Sequence, residues 1–138
     1  MLDPIDEFVE KLKASHRPKK YENEVEHDFL ISYDEPTKAI NGDFRLHIIA
    51  ALLLNNATNL ESYVASTIQF KTKIDSIKPG FSVRDWEDYL LALFGEKFCN
   101  LIVIIDSSKF GTLYAIANPN PGISAEFRNK VNEIKSKI

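Results

Sequence analysis

A single cysteine, Cys99, rules out a disulfide within the chain, and a chain so poor in cysteine fits a reducing compartment, most simply the cytoplasm. Long apolar runs are missing as well. The longest, Ile48 to Leu54, falls far short of the roughly 20 residues that a membrane-spanning helix needs. The opening Met1-Leu2-Asp3-Pro4 has neither the basic start nor the apolar stretch of a secretory leader. The five glycines are scattered singly, which excludes a Gly-rich phosphate loop and a GxSxG nucleophile elbow. HExxH and CxxC pairs are absent, removing the common zinc signatures. No strongly basic half exists, and the formal net charge is −3, so the electrostatic footprint of a nucleic-acid binder is missing.

What is present is enough apolar material for a core. Of 138 residues, 44% are hydrophobic and 27% charged, the balance of an ordinary single globular domain spanning residues 1–138. Asp3 and Pro4 suit a helix start, and Ile5, Phe8, Val9 and Leu12 recur at helical spacing. The polar stretch 15–24 then reads as a linker, which leaves open that the helix over 1–14 is an appendage. Val25 to Tyr33 reads as a short strand. Asp43 caps a helix from Phe44 to about Asn55 that is apolar nearly all round and therefore buried. His47 within it is expected to be a hydrogen-bonded core residue.

Residues 58–77 support two readings. Thr58 and Glu61 have capping-box spacing, and Leu60, Tyr63, Val64, Thr67 and Ile68 continue a helical stripe. Ile68, Phe70, Thr72 and Ile74 alternate instead like a half-buried strand over 66–74. Beyond Pro79-Gly80, Ser82 and Asp85 predict a helix from Val83 to Phe94, closed by Gly95. Leu101 to Ile105 is an unbroken apolar run, the pattern of a strand buried on both faces. The turn Asp106-Ser107-Ser108-Lys109 leads to a second strand over 112–117, close enough for a hairpin. A last amphipathic helix carries Ile123, Phe127, Val131, Ile134 and Ile138. The expected fold is α/β: one small sheet of three to four strands, including a C-terminal hairpin, packed with amphipathic helices.

Two groups of residues carry candidate chemistry. Asp106 and Ser107 stand at the carboxyl end of the apolar strand, where ligands gather in open α/β sheets. Gln69 and Lys71 share one face if 66–74 is a strand, and Asp28 or Asp34 could add the acidic ligand that a metal-dependent nuclease requires. His27 and Asp28, being neighbours on a strand, point to opposite faces and make a poor metal pair.

Two stretches resemble known families. His27-Asp28-Phe29-Leu30-Ile31-Ser32-Tyr33, followed by a buried helix and by Asp75-Ser76-Ile77-Lys78-Pro79-Gly80, resembles the opening of TIR domains over residues 27–106. The next glutamate after the apolar strand is Glu126, so the catalytic glutamate of NAD-cleaving TIR domains is not carried over. The resemblance implies an interaction module. Gln69-Phe70-Lys71 with the helix, strand and hairpin after it resembles the later half of the PD-(D/E)xK nuclease core, and implies Asp28, Asp34, Gln69 and Lys71 as catalytic candidates with Mg²⁺ as cofactor. Taken together, we expect a small soluble interaction module of defence, signalling or inhibitor type. Its partner would be another protein, with no cofactor, no resident metal and no membrane contact. The alternative is a metal-dependent nuclease or nucleotide-processing enzyme, with nucleic acid as partner.

Overall fold

The computed structural model describes residues 3–15, 18–34, 43–63, 66–98, 100–106 and 121–138. In chain order these form helix α1 (Pro4–Ser15), strand β1 (Glu24–Asp34), helix α2 (Phe44–Leu54), strands β2 (Thr58–Glu61) and β3 (Thr67–Asp75), helix α3 (Pro79–Phe94) with a 3-10 turn (Gly95–Lys97), strand β4 (Asn100–Asp106) and helix α4 (Pro121–Lys135). The strands make a single sheet in the order β2-β3-β1-β4, with every pairing antiparallel. The α/β class and the single small sheet are as expected from the sequence. The expected second hairpin strand over 112–117 lies outside the described residues.

Strand alternation divides the sheet into two unlike faces. Phe29, Ile31 and Tyr33 of β1, with Ile68, Phe70 and Ile74 of β3, are buried in one cluster with the helices. Phe29 stacks on Phe70 with ring centroids 5.6 Å apart, and Trp86 of α3 closes over both at 6.2 and 5.0 Å. Tyr33 meets Phe44 of α2 edge to face. None of the even-numbered residues of β1 belongs to this cluster. The apolar run 101–105 splits the same way. Leu101, Val103 and Ile105 pack against the core, whereas Ile102 on the other face is 55% exposed. The strand is therefore not buried on both faces, because the described helices cover only one.

The ambiguity at 58–77 resolves as two strands, and the capping-box reading of Thr58 and Glu61 is overturned. The reason lies two residues upstream. Asn56 adopts a left-handed φ of 63°, its N–H donates to the Leu53 carbonyl, and the Ala57 N–H donates to the Leu52 carbonyl. This paired closure ends α2 and turns the chain into β2 before a new helix can begin. In β3 the period-two pattern wins: Ile68, Phe70, Thr72 and Ile74 are all buried. Helix α3 also begins four residues earlier than the expected Val83. Pro79 takes the first position, while the Ser82 hydroxyl, fully buried, accepts the Asp75 N–H at 3.1 Å. Ser82 thus ties the end of β3 to α3 instead of capping the helix.

Asp43 does cap α2, accepting the Arg45 N–H at 2.9 Å. Its carboxylate also pairs with Lys130 of α4. Burial would raise the Asp43 pKa, but the hydrogen bonds and charge of Lys130 and the helix N–H groups outweigh it and hold the pKa below the usual carboxylate value. His47 is buried, as expected, with its Nδ1 2.7 Å from the Asp43 carbonyl and its ring 4.7 Å from Phe8. Helix α1 does not stand apart. Its Ile5, Val9 and Leu12 are buried in the common cluster, and Asp6 holds Lys137 near the chain end at 2.6 Å.

Candidate functional site

The sequence candidates fall mainly on the helix-free face of the sheet, the one that no helix among the described residues covers. In the β1–β3 register Asp28 lies opposite Lys71 and Leu30 opposite Gln69. On the other side of β1, Asp28 lies opposite Asp106, Leu30 opposite Ile104 and Ser32 opposite Ile102. One row across the sheet therefore reads Thr58, Lys71, Asp28, Asp106, and the next Glu61, Gln69, Leu30, Ile104. His27 sits on the opposite face, paired with Thr72, which separates it from Asp28 as strand geometry requires.

Asp28, Gln69 and Lys71 are thus brought together, but their polar groups are committed to neighbours. Lys71 Nζ lies 3.6 Å from Asp28 Oδ1, with both side chains about two-fifths exposed at 41% and 44%. The Gln69 amide donates to Glu61 Oε2 at 2.8 Å, and the Tyr63 hydroxyl donates to the same oxygen. That bond, with a smaller contribution from burial, raises the Tyr63 pKa above its ordinary value. Glu61 escaped the sequence reading because it was assigned to a helix start. Its position two residues before Tyr63 and eight before Gln69 becomes meaningful only once β2 and β3 are strands.

Asp34 is not part of this group. It lies six residues farther along β1, roughly 20 Å away at about 3.3 Å per residue, and there it accepts a 3.0 Å hydrogen bond from the Asn100 amide. Asp106 ends β4 in the row of Asp28, and Ser107 lies outside the described residues. Because all described pairings are antiparallel, the carboxyl ends of neighbouring strands alternate, and the carboxyl-edge argument for Asp106 does not carry over to this sheet. Among the described residues no group of three or more His, Cys, Asp or Glu side chains is placed to hold a metal ion.

No family model, curated protein or solved structure matches the chain, and neither the TIR nor the PD-(D/E)xK resemblance is shown. The site must be read from its own geometry. That geometry is exposed Ile102 beside half-buried Ile104 and buried Leu30, bordered by the Asp28–Lys71 ion pair, the Glu61–Gln69–Tyr63 cluster and the Asp34–Asn100 bond. No helix among the described residues is long and apolar enough to cross a membrane.

Proposed function

We propose that the chain is a small interaction module, of defence, signalling or inhibitor type, that binds another protein through the helix-free face of its sheet. The observation that carries this reading is the arrangement of that face. Protein contacts are built as a charge-poor apolar centre inside a polar rim, and Ile102 with half-buried Ile104 inside an ion-paired and hydrogen-bonded border has that form. Ile102, 55% exposed, costs the isolated chain hydration that a partner surface would relieve. The test is Ile102→Glu. Its stability should stay within about 0.5 kcal/mol of the parent, as for other exposed positions. Partners captured by the parent chain from its native cell should be lost by the variant. Unchanged recovery by Ile102→Glu would remove this face from the interaction.

A second reading, metal-dependent cleavage of nucleic acid, is favoured by one observation: Lys71 stands beside Asp28 on the face that also carries Gln69. In that reading Asp28 would hold Mg²⁺ and Lys71 would stabilise charge on the phosphate. The exposed ion pair contributes only about 0–1 kcal/mol, so Lys71→Ala should melt close to the parent. If it also abolishes magnesium-dependent cleavage of DNA or RNA, the nuclease reading gains. If cleavage is absent from the parent or equal in the variant, that reading falls.

A further inference from the structure

We propose that the open edge of β3 at Thr72 and Lys73 binds an extended, carboxylate-bearing segment of another polypeptide. This site is separate from the helix-free face and does not depend on it. The argument begins with strand alternation. The Tyr33 N–H donates to the Ser66 carbonyl and the Ser76 N–H to the Asn23 carbonyl, both at 2.9 Å. In this register the even-numbered residues of β3 turn their backbone groups toward β1, and Lys71, Lys73 and Asp75 turn theirs away. Two of those three are satisfied on that side. Lys71 lies opposite Thr58, where β2 begins, and the Asp75 N–H is taken by the Ser82 hydroxyl. Between them Lys73 has no strand partner among the described residues, since β2 does not extend past Thr58. One donor and one acceptor of the ladder are left open.

These groups open into a two-lobed cleft. Thr72 and Lys73 line both lobes together with Lys19 and Asn55. One lobe, about 180 Å³, is also lined by Trp86 and Tyr89 of α3, and the other, about 310 Å³, by Lys20 and Asn56. Thr72 is 6% exposed and faces the cleft from the floor of β3. The Tyr21 hydroxyl donates to Asp85, which Lys19 also holds at 3.1 Å, and so fixes one wall. Burial, and then the Asp85 bond, push the Tyr21 pKa up to about 12, so this wall remains a neutral phenol at pH 7.

The unmet groups define the occupant. A backbone N–H and C=O on one strand edge are complementary to the same pair on an added strand, the basis of peptide capture by sheet edges. Lobes of this size lie at or below the lower limit of pockets for drug-sized ligands, which suits two to three residues of extended chain and not a dinucleotide. Lys19 is engaged with Asp85, but Lys20 and Lys73 make no ion pair among the described residues, although Glu24 and Glu26 lie on the same rim. Two uncommitted ammonium groups at the lip favour a carboxylate on the incoming segment.

The probes are two acetylated, amidated hexapeptides of alternating valine and threonine that differ only in aspartate or asparagine at the third position. Each is titrated into the full ¹⁵N-labelled chain. Saturable shifts are expected at the Lys73, Asn55 and Asn56 amides, with the aspartate peptide binding about fivefold more tightly. Thr72→Val, equal in shape, removes the hydroxyl from the cleft wall and should weaken both peptides by about threefold. The double variant Lys20→Gln/Lys73→Gln should abolish the preference for aspartate. Absence of saturable shifts at Lys73, or equal binding of the two peptides by the parent chain, would each overturn the proposal. Shifts confined to Ile102 and Ile104 would overturn it too, while supporting the helix-free face as the contact surface.

Discussion

Phe29→Ala should lower the free energy of unfolding by about 3–5 kcal/mol, the range for emptying a packed phenylalanine site. Phe29 is 1% exposed and lies in β1, which is hydrogen-bonded on both sides, to β3 and to β4. Its ring is held between Phe70 from the neighbouring strand and Trp86 from the covering helix. Collapse into the vacated space would require the sheet and α3 to approach each other, and Ser82 already ties the two together at the end of β3. The cavity should therefore persist, which puts the cost toward the upper end. A domain of this size has about 5–15 kcal/mol in total, so the variant should melt roughly 10–20 °C below the parent. Val25→Ala is the control. It changes the same face of the same strand, but Val25 is 38% exposed, and the loss should stay under about 1 kcal/mol. Urea titrations followed by circular dichroism measure both. Equal losses at the two positions would mean that the aromatic cluster is not the centre of the core.

The elements most legible in the sequence were those whose periodicity is enforced by one buried face. Helix α2, β1, the helix carrying Trp86 and the C-terminal helix were all placed by spacing alone, because each must hide a stripe or a side of apolar residues. Residues 58–77 resisted for a physical reason. Leu60, Tyr63, Thr67 and Ile68 fit a helical stripe as well as two short strands, and the deciding signal is Asn56 in a left-handed conformation. Asn55-Asn56, with Asn56 in the left-handed region, is a helix stop that local spacing downstream does not reveal. The Leu101–Ile105 run misled in the opposite direction. An unbroken apolar pentad looks like a strand covered on both sides, but Ile102 and Ile104 belong to the face without described helices. For the candidate site, shared-face logic placed Asp28, Gln69 and Lys71 together, since only register and parity are needed for that. It could not separate Asp34, because an acidic residue six positions along a strand has the same parity and a very different place. Glu61 was hidden by the assignment of its segment.

Val9→Asp should cost about 3–5 kcal/mol and, more tellingly, should destabilise the whole chain in one transition. The polar stretch after Ala14 suggests a detachable helix, but polarity of a connector says nothing about what the helix before it touches. Val9 is 1% exposed, and with Ile5 and Leu12 it lies in the same buried cluster as Ile48 of α2 and Phe94 of α3. Phe8 beside it rests on His47 and Phe94, at 4.7 and 5.7 Å between ring centroids. A carboxylate at position 9 would be carried into that apolar layer, and among the described residues Lys11 and Lys13 are already paired with Glu7 and Glu10 and Lys137 with Asp6. An unpaired buried charge is among the few single changes that reach this magnitude. Trp86, the only tryptophan, reports from the far side of the core, against Phe29 and Phe70. If α1 is part of the cooperative unit, Trp86 fluorescence and far-ultraviolet circular dichroism should shift to lower urea together in Val9→Asp. A variant that loses helical signal early while the Trp86 transition stays at the parent midpoint would show instead that α1 folds on its own account, and that the core closes without it.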